Sequence, residues 1–74
     1  MRIFQMLSTI AYGDAVSNDT FAMEKIIKGM GYGTRIYAES IVAPLDKKNA
    51  LNVDELKDVH KDDIIIFLSL IHIS

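Results

Sequence analysis

RIFQMLSTIAYGDAVSNDT, residues 2–20, decides how the rest of the chain is read. Ile3, Phe4, Met6 and Leu7 give its first part the near-continuous apolar character of a strand covered on both faces of a parallel sheet. A strand is therefore expected near residues 2–7. The stretch then turns polar at AYGDAVSNDT, residues 11–20, where a lone glycine stands among two aspartates, an asparagine and a serine. Glycine permits positive φ, and Asp14, Ser17, Asn18 and Asp19 are of the types that cap helices. A strand entering a capped turn is the first half of a βαβ unit.

Working outward, Val16, Thr20, Met23, Ile27 and Met30 recur at three- and four-residue steps, with Ala22 and Ile26 widening the stripe. That spacing predicts a helix burying this face and exposing Glu24, Lys25 and Lys28. Gly31 suits the left-handed residue after a last helical turn, and Lys28 suits the negative end of the helix dipole. GTRIYAE then alternates polar and apolar residues, predicting a second strand near 34–38 after a right-handed crossover. From Glu39 to Asn52 the pattern lapses around Pro44, Asp46, Lys47 and Lys48, as in a long connection. Asn52 can cap a short helix, VDELKD, with Glu55 completing a capping box. DDIIIF follows, and Ile64–Phe67 has the composition of a fully buried third strand. The expected fold is α/β: a three-stranded parallel, Rossmann-like βαβ(α)β piece of a doubly wound sheet. In that order the first strand is left with an apolar open edge, so the chain reads as the start of a larger domain, or as a module that self-associates through that edge.

Composition narrows the function classes. A chain of 74 residues makes one small domain, and with no cysteine it has neither disulfides nor thiolate metal ligands. The net charge of −2 carries no basic stripe, which argues against nucleic acid as a partner. His60 and His72 lack metal-ligand spacing to an acidic cluster, and no metal or cofactor is expected. The opening MRIFQMLSTIA has one arginine and breaks its apolar run at Gln5, Ser8 and Thr9, unlike a secretory signal. The apolar run Ile64–Ile73 is too short to span a bilayer, so a cytoplasmic protein is the expectation.

Ligands of open α/β sheets bind at the carboxyl ends of the strands, which makes the turn after the first strand the candidate site. Backbone amides at the start of the helix, with Gly13 allowing close approach, could meet an anion or another polar ligand. The candidate residues are Tyr12, Gly13, Asp14, Ala15 and Asn18. A strand-to-helix turn also needs a glycine and a cap for purely structural reasons. Neither a P-loop nor a GxGxxG fingerprint is present, since Gly13 is followed by Asp14, Ala15 and Val16. Glu39, just past the second strand, stands where an acidic residue holds a ribose hydroxyl in nicotinamide-binding domains, a position acidic residues also fill without function. GYG, residues 31–33, reads as helix stop and turn. Tyr12 offers a ring and hydroxyl that sugars use, or else packs on the helix. His60 reads as solvated, and Asp62 with Asp63 as a turn, because adjacent strand residues diverge.

The stretch from Met1 to Glu39, with YGDAVSND at its turn, and the block VDELKDVHKDDIIIF resemble the amino-terminal part of GT-B glycosyltransferases, the retaining glycosyl transferases group one. The resemblance covers residues 1–67. It implies a partial amino-terminal Rossmann-like domain on the acceptor side of an interdomain cleft, in an enzyme that moves a sugar from a nucleotide-sugar donor to a glycan or other acceptor. Gly13 and Asp14 then match the family's glycine turn and Ala15 its small residue at the helix start. Asp14 stands where many relatives have a second glycine, and its charge disfavours contact with a diphosphate. Residues 68–74 depart from the family and read as a non-native tail, so His72 is not given the family histidine's place. The resemblance further implies that this piece alone is inactive. Two other readings remain at this level: a small non-enzymatic module that self-associates, and a fragment of a nicotinamide-dependent oxidoreductase resting on Glu39.

Overall fold

A computed structural model describes residues 1–68. Its elements are strand β1 (Arg2–Ile10), helix α1 (Ala15–Gly29), strand β2 (Gly33–Ile41), the two-residue strand β3 (Leu51–Asn52), a 3-10 turn (Val53–Glu55) and strand β4 (Ile64–Phe67). All pairings are parallel and the spatial order is β3-β2-β1-β4. The α/β class and the parallel βαβ unit are thus present, in a sheet of four strands rather than three.

β1 occupies the interior of this sheet, and its side chains alternate between two cores. On one face Leu7 and Ile10 join Ile36, Ala38 and Ala50, with Phe21 of α1 and the loop residue Leu45 packed against them. On the other, Phe4 and Met6 join Tyr37, covered by Leu51, Val53, Leu56 and Ile65. Phe4 and Tyr37 meet edge to face with ring centroids 5.6 Å apart, a favoured arrangement because a positive ring edge meets a negative ring face. The near-continuous apolar run of β1 thus has both its faces covered.

Four expectations need correction. The first strand has no open edge, because β4 pairs with β1 on the side away from β2, with Ile3 opposite Ile64 and Met6 opposite Phe67. The open edge lies on β4, whose Ile64 is 45% and Phe67 55% exposed, so β4 is not the most buried strand. The helix buries Ser17, Thr20 and Ile27, while Val16, Met23, Ile26 and Met30 stay exposed. The rotation has a polar cause: Ser17 Oγ accepts the Ala11 N–H at 3.0 Å, and Gln5 Nε2 donates to the Thr20 carbonyl at 3.0 Å. Both bonds turn the Ser17–Thr20 line toward β1. Finally, the capping box at Asn52 forms, but the helix it opens ends after Val53–Glu55, because Leu56 is already extended and Asp58 has φ of +56°. A single turn is too short to hold a helix by its own hydrogen bonds, and the chain is diverted so that Leu56 covers Phe4 and Tyr37.

The connection between β2 and β3 is shorter than expected, since β2 runs to Ile41 and the chain re-enters the sheet at Leu51. It includes a cis Ala43–Pro44 bond and buries Ala50 against the α1 side of the sheet, doing the covering work of a crossover helix. At the other end of α1 the Tyr32 N–H reaches the Ile27 carbonyl and the Gly31 N–H the Lys28 carbonyl, with Gly31 at φ +89°. This paired bonding ends the helix at the glycine expected to end it.

β4 is tied to β1 by charge at its start. Arg2 forks onto Asp63, Nη2 to Oδ2 at 2.6 Å and Nε to Oδ1 at 3.3 Å, while the Arg2 N–H adds a bond of 3.1 Å to Oδ1. Arg2 also lies 5.0 Å from the Phe4 ring centroid and donates to the Asp58 carbonyl. The guanidinium, with the His60 N–H, holds the Asp63 carboxyl well below its ordinary value of 3.8. A carboxyl whose pKa is depressed by folding stabilises the fold above its unfolded value and loses that contribution as pH falls below it. Thermal unfolding of the native chain should therefore keep a level midpoint from pH 7 to about 5 and drop below about pH 4. Asp63→Asn should unfold at lower temperature at pH 7, with the gap to the native chain closing toward pH 2, followed by circular dichroism.

Candidate functional site

The β1–α1 turn leaves the carboxyl end of β1 where the chain's path through the sheet reverses, since β2 lies on one side of β1 and β4 on the other. Such switch points are where doubly wound sheets bind ligands, because the loops leaving the two neighbouring strands diverge and open a crevice. Gly13 sits there at φ +81° with nothing within 4 Å of the position a Cβ would take. The glycine is therefore required by backbone conformation and not by close packing.

Asp14 is the N-cap of α1. Its Oδ2 accepts the Ser17 N–H at 3.1 Å and the Ser17 hydroxyl at 3.2 Å. The same hydroxyl oxygen accepts the Ala11 N–H, so turn, cap and helix form one hydrogen-bonded unit. The positive end of the helix dipole thus already faces a carboxylate. No lysine or arginine occurs between residues 3 and 24 to offset a second negative charge. A neutral ligand rich in hydroxyls suits this turn better than a phosphate, with Asp14 Oδ1, outside both bonds to Ser17, as an acceptor.

Tyr12 is 80% exposed beside Gly13, free of the helix it could have packed against. Ala15 and Asn18 are exposed in the first turn of α1. The turn therefore brings Tyr12, Gly13, Asp14, Ala15 and Asn18 into one local, solvent-facing segment. Glu39 is exposed near the carboxyl end of β2, and its carbonyl accepts from Asn52 Nδ2 at 3.1 Å. Ser17 was legible only as a possible cap, and its bond to Ala11 joins residues whose proximity depends on the turn.

Other polar candidates are accounted for structurally. Asp62 meets the chain's amino terminus at 3.4 Å and Asp63 meets Arg2, so the two carboxylates serve different partners. His60 is exposed, and its N–H bonds Asp63 in the turn before β4. His72 lies outside the described residues, as does most of the segment 68–74 read as a tail. Among the described residues there is no cluster of three or more metal-ligating side chains, and no helix is long and apolar enough to cross a membrane. In comparisons with protein-family models, curated proteins and solved structures, the chain matches none.

The cap can be tested apart from any ligand. Asp14→Ala should cost about 1 kcal/mol, while Asp14→Asn, which keeps an N-cap oxygen, should cost a few tenths. Gly13→Val should cost about 1–2 kcal/mol through its positive φ. Urea unfolding of the three variants checks the order.

Proposed function

We propose that this chain is the amino-terminal α/β piece of a retaining, nucleotide-sugar-dependent glycosyltransferase of the GT-B type, and that its β1–α1 turn receives hydroxyls of the sugar acceptor. The observation that carries the placement is Asp14. Its carboxylate caps α1 at the sheet's switch point, with no lysine or arginine from Ile3 to Glu24 and Arg2, at the far end of β1, committed to Asp63. A donor diphosphate would meet like charge there, whereas an acceptor hydroxyl can donate to the carboxylate. The sugar-transfer chemistry itself rests on the resemblance of YGDAVSND and DDIIIF to that family, and fold alone does not specify a reaction.

In this reading Tyr12 offers a ring face to the sugar, Gly13 lets the ligand approach the backbone, and Ala15 keeps the helix start uncrowded. Asn18 adds an amide one turn along α1. Departure of the diphosphate requires a second domain that encloses the donor and supplies the stabilising charge, so the chain alone performs no transfer. A nucleotide-sugar and an acceptor are the partners of the longer parent enzyme.

Titration of the isotopically labelled chain, read by amide chemical shifts, tests the placement. Methyl glucoside, methyl galactoside and methyl mannoside serve as acceptor probes, and uridine diphosphate and nicotinamide adenine dinucleotide as anionic ones. At least one glycoside should give saturable shifts confined to residues 11–18, weakened about tenfold in Asp14→Asn, consistent with loss of a hydrogen bond to a charged group. Shifts from uridine diphosphate at the same amides without any from the glycosides would overturn the acceptor assignment. Dinucleotide binding that moves Glu39 would favour the oxidoreductase reading instead.

A further inference from the structure

We propose that Gln5 and Ser17 form a latch that holds α1 in one of two packings the sequence supports, and that releasing the latch turns the helix by about 60° to bury Val16, Met23, Ile26 and Met30 against the sheet. The latch is independent of what the β1–α1 turn binds.

The two packings come from two faces of one helix. Val16, Met23, Ile26 and Met30 keep between 42% and 57% of their surface exposed, while Ser17 and Thr20, which face the sheet, keep at most 1%. Apolar burial alone would set the larger side chains inward. Successive residues lie about 100° apart around a helix, so Met23, three positions after Thr20, sits about 60° from it. Ile27 lies between the two faces and meets the sheet in either packing. A turn of this size carries Phe21 away from the core of Leu7 and Ile36, but it brings in four apolar side chains, two of them methionines, which adapt to irregular gaps.

What opposes the turn is polar. Gln5 Nε2 donates to the Thr20 carbonyl at 3.0 Å, and Ser17 Oγ accepts the Ala11 N–H at 3.0 Å. Turning the helix breaks both bonds and leaves the fully buried Gln5 with neither end of its amide paired. Its Oε1 already lacks a partner among the described residues, so Gln5 is a costly residue for stability and a useful one for choosing between packings that apolar contacts do not separate. Thr20 adds no such constraint, since its hydroxyl donates to the Val16 carbonyl within the helix and travels with it. Because Ala11 adjoins Tyr12, the latch also ties the orientation of α1 to the turn at the carboxyl end of β1.

The chain has no cysteine, so single cysteines report the rotation through their rates of alkylation by iodoacetamide. Met23 is exposed and its neighbour Glu24 is partly buried. With Gln5 in place, Met23→Cys should react faster than Glu24→Cys. When Gln5→Leu is added, Met23→Cys should slow by about tenfold or more while Glu24→Cys quickens, exchanging their order. Lys25→Cys, on the side away from the sheet in both packings, should keep its rate. Gln5→Met, which conserves volume, is a second route to the same release. Undocking or unfolding of the helix raises the rate at both Met23→Cys and Glu24→Cys, so the exchange of order is the mark of rotation, and its appearance with either Gln5 variant supports the latch. Rates that keep the native order, or that rise at both positions, with both Gln5→Leu and Gln5→Met would overturn it.

Discussion

A parallel strand with apolar side chains on both faces must be covered twice, and β1 is the strand on which this constraint falls. Ile3, Phe4, Met6, Leu7 and Ile10 leave it no face that tolerates water. One helix covers one side, and the other falls to the 3-10 turn and its flanks, with Val53 and Leu56 laid over Phe4 and Tyr37. The short β3 and the looped connection before it follow from the same demand, since Ala50 and Leu45 seal the α1 side beyond the reach of the helix. β4, by contrast, is left half exposed.

The interior position of β1 also builds the candidate site. Because β2 and β4 flank it on opposite sides, the turn that leaves it emerges at the reversal of the chain's path through the sheet. Asp14, Ser17 and Ala11 lock that turn to the helix, and their bonds set which side of α1 meets the sheet. One short polar network thus fixes both the packing of the helix and the charge at its amino end. The orphaned acceptor of this arrangement is Gln5 Oε1, buried without a hydrogen-bond partner among the described residues while its Nε2 donates to the Thr20 carbonyl. A buried amide half satisfied in this way costs stability, and it lies on the same line of contacts that rotates the helix.

Much of the local structure was legible, because short-range chemistry determines it. The apolar run of β1, a cap among Asp14, Ser17, Asn18 and Asp19, the glycine stop at Gly31, the strand through Ile36 and Ala38, and the capping box at Asn52 each depend on residues a few positions apart. What escaped reading depends on distant partners. The side of β1 that β4 joins is set by a strand pairing with no signature within DDIIIF. The exposed Val16–Met23–Met30 line looked like the core face because periodicity counts apolar residues and takes no account of Ser17 and Gln5. In the candidate site, Gly13 and Asp14 were legible in their structural roles, whereas the lack of lysine or arginine from Ile3 to Glu24 gained meaning only when the turn's place in the sheet was known.

The burial of β1 is tested most directly by hydrogen exchange, residue by residue, on the dilute native chain. A central β1 covered on both faces predicts the slowest exchange at the amides of Phe4–Leu7 and Ile36–Ala38, with β4 and the connection after β2 exchanging distinctly faster. Exchange in β1 as fast as in β4, or slowest protection confined to α1, would contradict a fold organised around that strand.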